Sequence, residues 1–245
     1  MPAHRWAHRF FALLEQKREY FVAKSKKYRG FMPVYAEEIP IADDLSERTE
    51  KKATGALLES FDTVLVRKFW LIQQRAPDNV LPPDTYDLYG DNQWPRDEVL
   101  PKFRETDLLY CTEALTHCRR LMRSFAPSLR LYEGFSDPVM DFPGVTTTNA
   151  LRFLSQDNVP ALQVRNARGE WVVAPPIPGT LVVNIADFIN LTGQERYSIP
   201  FFFGVDYNTT VSVLPNCVSD DRPASFVRAQ LAKTYVPYSE EPSTR

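Results

Sequence analysis

Arg196-Tyr197-Ser198-Ile199-Pro200-Phe201-Phe202-Phe203 is the stretch that decides how this chain is read. It is β-rich and ends at the turn material Gly204 to Asn208. Strand side chains alternate, so Arg196 and Ser198 point to one face. A guanidinium and a hydroxyl so placed can hold a carboxylate. The arginine gives two parallel charge-assisted hydrogen bonds and the serine a third.

Short β-rich runs surround it: Leu151–Gln156, Ala161–Arg165, Trp171–Ala174, Thr180–Ile185 and Thr209–Leu214. Turn residues separate them, at Asp157-Asn158, Asn166 to Gly169 and Pro175 to Gly179. Many short strands with tight turns predict a sandwich or jelly roll. The first half differs. Trp6, Phe10, Leu13, Leu14 and Phe21 predict a helix over 4–25. Leu108, Cys111, Leu115, Cys118, Met122 and Phe125 form one stripe of a helix over 103–126, with Pro127 as its stop. Tyr28 to Pro33 reads as a turn into an extended segment, 42–53 as a charged loop or short helix, and 76–101 as a long ordered loop. Val64 to Ile72 is an apolar run of strand or helix character, and a last helix is expected over Ala224–Tyr235, after Pro223. The expected division is 1–102, an N-terminal region; 103–240, a β-rich core; and 241–245, a tail.

Composition narrows the class. The 245 residues carry a net charge of −2, which gives no reason to expect nucleic acid or a membrane surface as partner. No run approaches the ~20 apolar residues of a membrane span, and the start does not read as a secretory signal. Cys111, Cys118 and Cys217 lack metal-site spacing, and the first two read as core residues. Cysteine usage points to a reducing, cytoplasmic setting.

Several blocks, in order, resemble the isopenicillin-N-synthase-like branch of the iron(II)/2-oxoglutarate-dependent dioxygenases, in its fungal form. They are Tyr28 to Phe31, Glu59 to Asp62, Leu88 to Pro95, Asp157 to Val164, Pro175-Pro176-Ile177-Pro178-Gly179-Thr180, Val183 to Asp187, and Arg196 to Phe203. The resemblance implies an α+β fold: a double-stranded β-helix, or jelly roll, supported by N-terminal helices. It implies Fe(II) held by two histidines and a carboxylate, 2-oxoglutarate whose far carboxylate meets Arg196 and Ser198, and a small-molecule substrate of specialised metabolism.

The sequence departs from that pattern at the metal. Counting back from Gln156, the family's His-x-Asp pair falls on Val145-Thr146-Thr147, and no histidine follows His117. Eight residues separate Asp187 from Arg196, where the family has roughly twenty more, about two short strands and a turn. The second histidine and its strand are therefore expected to be missing, and the jelly roll incomplete. The family's first strands also have no counterpart before the opening helix.

Other residues offer little in place of the lost ligands. His4 and His8 are four apart and read as exposed helix histidines, and His117 as a partly exposed structural one. Asp137, Asp141 and Asp187 read as solvated turn carboxylates; oxygen ligands alone suit magnesium or calcium better than iron.

Three functions follow as expectations: a dioxygenase relative silenced by loss of iron, a non-catalytic protein pairing with an intact homologue, or an oxygenase with unconventional ligands. Missing strands expose sheet edges at Phe201-Phe202-Phe203 and Val182-Val183, which favours self-association and marginal stability.

Overall fold

A computed structural model describes residues 2–13, 15–21, 29–36, 58–63, 91–140, 149–166, 168–184, 189–190, 196–204, 210–211, 214, 218–219 and 229–230. The chain divides into two compact units, Met1–Ala7 with Glu105–Arg245, and His8–Arg104.

Residues 8–104 are held by aromatic packing. The end of helix α1 (Pro2–Phe11) brings in Phe10, which is fully buried. Strands β1 (Gly30–Met32) and β2 (Ser60–Asp62) pair antiparallel with Phe31 opposite Phe61. The Phe10 ring lies 4.5 Å from Phe61 and 5.6 Å from Phe103, and Phe61 meets Phe103 edge-on at 5.4 Å. Edge-on and tilted contacts are the geometry that ring quadrupoles favour. Gly30 has φ 114°, and a Cβ there would lie 2.3 Å from the Tyr20 carbonyl oxygen, so only glycine fits. Lys17 pairs with Glu59 at 2.7 Å and its ammonium sits 5.1 Å from the Phe31 ring centre.

The second unit is β-rich. Helix α2 (Phe103–Ser128) buries Cys111, Ala114, Leu115, Cys118 and Ala126. Of the stripe read from the sequence, Cys111, Leu115 and Cys118 are buried, and Leu108, Met122 and Phe125 are partly so. Burial pushes the Cys118 thiol up to about 12, and raises Cys111 and Tyr110 as well, in keeping with inert core thiols. Pro127 does not stop the helix but occupies its last turn. The stop is a Schellman motif: Leu131 N–H donates to the Ala126 carbonyl and Arg130 N–H to the Pro127 carbonyl, with Arg130 left-handed at φ 59°.

Two three-stranded antiparallel sheets follow. One has the order β6 (Val182–Asn184), β3 (Asn149–Gln156), β8 (Ser198–Gly204); the other β5 (Trp171–Val173), β4 (Leu162–Arg165), β7 (Ile189–Asn190). With the supporting helices this is a jelly roll in incomplete form, as the sequence predicts.

Three elements differ from expectation. The predicted helix over 4–25 breaks after Phe11, and Glu15–Tyr20 is a 3₁₀ turn. Ile189–Asn190, not marked as a strand in the sequence, forms β7, two residues that pair with Leu162 and Gln163. Ala229–Gln230, inside the predicted last helix, is instead strand β10, antiparallel to β9 (Thr210–Val211). Here pairing with a partner strand overrides local helix preference.

Candidate functional site

Strands β3 and β8 pair over Asn149–Gln156 and Ser198–Gly204, with Phe153 opposite Phe201, Arg152 opposite Phe202, and Gln156 opposite Ser198. Directly opposed residues share a face, so the register sorts the sheet into two. Leu151, Phe153, Ser155, Phe201 and Phe203 occupy one face, and all five are buried. The supporting helices contact this sheet. His4 of α1 shares a 2.8 Å hydrogen bond between Nε2 and Ser155 Oγ, and Tyr110 of α2 donates its hydroxyl to the Ile199 carbonyl at 3.0 Å. The other face carries Arg152, Leu154, Gln156, Ser198, Pro200 and Phe202. There Phe202 is 51% exposed, against 1% for Phe203 beside it.

The candidate clamp stands at the end of this second face. Ser198 begins β8, and both it and Arg196 are half-buried. The ladder continues one step beyond the strands: Asp157 N–H donates to the Tyr197 carbonyl at 3.1 Å, and Tyr197 N–H donates to Asp157 Oδ2. Asp157 Oδ1 accepts from Val159 N–H at 2.9 Å. The Asp157 carboxylate is therefore occupied with backbone, and it fixes Tyr197 between the two clamp residues. Partial burial pulls the Arg196 guanidinium below its ordinary value, and nearby Asp157 offsets this in part. Among the described residues Arg196 makes no ion pair. A partly desolvated guanidinium without a direct counter-charge is disposed to take an anion.

Sequence reasoning did not single out Gln156, Arg152 or Phe202. Gln156 faces Ser198 across the ladder, and its Oε1 is buried with no hydrogen-bond partner among the described residues. The Arg152 guanidinium lies 5.5 Å from the centre of the Phe202 ring. Alternation hints at such a face, but the partner across the ladder is set by register, which local sequence does not state.

The remaining candidates separate. His4, expected to be exposed, is half-buried against Ser155, while His8 is exposed. His117 is exposed, with Nδ1 2.9 Å from the Glu113 carbonyl oxygen. Asp137 accepts two hydrogen bonds from Arg123, at 3.2 and 2.8 Å. Val145, Thr146, Thr147, Asp141, Asp187 and Cys217 lie outside the described residues.

Comparison with known proteins agrees with this architecture. Residues 121–205 match the profile of the 2OG-Fe(II) oxygenase superfamily. Over these residues the chain is similar to the domain of that superfamily. Its relatives include the 2-oxoglutarate-Fe(II) type oxidoreductase ppzC of Metarhizium rileyi, 28% identical over 61% of this chain and 53% of that protein. Another is the 2-oxoglutarate-Fe(II) type oxidoreductase hxnY of Emericella nidulans, 30% identical over 52% of this chain and 49% of that one. The chain thus spans about half the length of the curated relatives it matches. Among solved structures, a 2OG-Fe(II) oxygenase family protein from Caulobacter crescentus superposes with TM-score 0.68 at 22% identity, covering 95% of this chain and 82% of that one. A full-length Neurospora crassa protein in complex with alpha-KG gives 0.66 at 18% identity, with the same coverage. These two likenesses are of fold.

The superfamily implies Fe(II) and 2-oxoglutarate. The sequence has no histidine beyond His117, and among the described residues no group of three or more His, Cys, Asp or Glu is placed to hold a metal ion. Among the described residues no helix is long and apolar enough to cross a membrane.

Proposed function

We propose that this chain is a 2-oxoglutarate/Fe(II)-dependent oxygenase relative that does not turn over, because it keeps the carboxylate end of the site and lacks the iron ligands. The carrying observation is the absence of any histidine after His117 in a domain whose metal is held by imidazole. Arg196 and Ser198 are the residues proposed to meet the 2-oxoglutarate carboxylate. Without a metal chelating the other end, one partly hydrated guanidinium contact contributes about 1–3 kcal/mol. Millimolar affinity needs about 4 kcal/mol. Binding of 2-oxoglutarate is therefore very weak, and the ancestral role, in fungal specialised metabolism on a small molecule, is not performed by this chain alone.

The test is anaerobic addition of Fe(II) and 2-oxoglutarate to the purified protein. No visible charge-transfer band should develop, and aerobic incubation should release no succinate. One equivalent of bound iron with succinate formed in step with oxygen uptake would restore the enzyme reading.

A second reading, a cytoplasmic interaction protein that pairs through a sheet edge, has its own support. Among the described residues β8 and β6 are the terminal strands of their sheet, each paired with β3 alone, as expected for Phe201-Phe202-Phe203 and Val182-Val183, although Phe201 and Phe203 themselves are buried. A more apolar edge lies in the other sheet. There, among the described residues, strand β5 is terminal, and Trp171, Val172 and Val173 are all exposed. An edge of this kind is a template for another strand. Val172→Lys should shift any concentration-dependent oligomer to monomer in light scattering; a monomer at all concentrations before substitution would remove this reading.

A further inference from the structure

Strand β5 has the side chains of an interior strand and the surroundings of an edge one. Trp171, Val172 and Val173 are 45%, 51% and 48% exposed, so both of its faces are about half open. A strand with one face in water normally alternates apolar with polar, and an apolar run on both faces marks a strand covered on both. No lysine, proline or bulge guards it as edges usually are guarded.

Its backbone is open as well. Asn166 N–H donates to the Glu170 carbonyl at 2.9 Å, and Ala174 N–H to the Leu162 carbonyl at 2.8 Å. Glu170, Val172 and Ala174 therefore turn their hydrogen-bonding groups toward β4. The direction alternates along an antiparallel ladder, so the N–H and C=O of Trp171 and Val173 point away from β4. Among the described residues these four groups have no partner on that side.

We infer that β5 pairs antiparallel with β5 of a second copy of this chain, about a two-fold axis at Val172. The inference rests on the reading of β5 as the pairing edge, and it names the partner and the register. The two-fold places Trp171 opposite Val173 of the second copy, and the reverse. Each of these pairs exchanges both N–H···O=C bonds, so every outward group of both strands is satisfied. Each is also an aromatic–β-branched pair, a kind that stabilises sheets. Charge selects the direction. In the antiparallel register Glu170 meets Ala174 and Arg168 meets Pro176. An in-register parallel pair sets Glu170 beside Glu170 and Arg168 beside Arg168, like charge against like. Pro175, the next outward position, has no N–H, which ends the ladder. The pairing uses one patch on both copies and closes at two. It buries much less than the about 1,200 Å² of a standard interface, so the dimer is weak and reversible.

Light scattering of the full-length chain over a hundredfold range of concentration should show monomer passing to dimer. Val172→Lys should hold it at monomer. Val173→Pro should do the same, because it removes an outward N–H that the lone chain does not use. In a Cys217→Ser background, Val172→Cys should cross-link to a covalent dimer under mild oxidation. Facing Cα atoms of a pair without mutual hydrogen bonds lie about 4.5 Å apart, within disulfide reach. Trp171→Cys, which faces Val173 and not itself, should cross-link at least tenfold more slowly. The cross-link decides the register even where Val172→Lys or Val173→Pro does not fold. A dimer that Val172→Lys dissociates, but that neither cross-links through Val172→Cys nor responds to Val173→Pro, would overturn the two-fold pairing and keep β5 as a pairing edge. A monomer at every concentration, or a dimer indifferent to Val172→Lys, would overturn both.

Discussion

Phe202 and Phe203 are neighbours in sequence and have opposite fates. Phe203 packs on a face with Leu151, Phe153, Ser155 and Phe201, all buried; Phe202 lies on the face with Arg152, Leu154, Ser198 and Pro200, where Leu154 is buried and Phe202 is half open to solvent. The two faces are written on the same strands and interleaved residue by residue. Packing and ligand chemistry are therefore separable by single substitutions, because alternation puts adjacent side chains into different environments.

The largest test of this contrast is Phe203→Ala, which should destabilise by about 3–5 kcal/mol, while Phe202→Ala costs less than about 1 kcal/mol. Urea denaturation of both variants measures the difference. Similar losses would mean that Phe202 is packed as Phe203 is.

Alkaline pH probes the buried helix layer. The Cys118 thiol is raised by burial from 9.0 to about 12, and Tyr110 and Cys111 are raised too. Below the unfolded value both states keep their protons and the contribution is intact. As pH rises from about 9 to 12 the unfolded chain ionises first, so stability falls. The denaturation midpoint should drop over that window, with a shallower slope in Cys118→Ala. A flat profile would show these groups to be wetter than their packing implies.

The serines repeat the contrast at smaller scale. Ser155→Ala removes the partner of His4 from a buried site and should cost about 1 kcal/mol. Ser198→Ala should cost less than about 0.5 kcal/mol, since its site is only half-buried. The smallest effect on stability is expected from Arg196→Gln, within about 0.5 kcal/mol. That variant should abolish residual chemical-shift changes induced by 2-oxoglutarate. If Arg196→Gln instead unfolds the protein, the arginine is a structural strand residue.

Much of this is legible in the chain. The six β-rich runs agree with strands to within one or two residues at most ends, because turn residues and β-rich composition mark strands locally. The α2 stripe is legible because its apolar residues recur at helical steps. Its end is not, because Pro127 removes one hydrogen bond yet fits a last turn that Arg130 closes. Gln156 and Arg152 escape notice because each acquires meaning only from the residue across the ladder.

The sequence alone settled that no histidine follows His117 and that the second half is β-rich, since both are properties of residue type and spacing along the chain. Only the tertiary structure decided that Arg152 meets Phe202, that Gln156 faces Ser198, and that Ala229–Gln230 is strand and not helix. Those outcomes depend on which strand lies beside which and in what register, and that choice is made by burying one whole face at once.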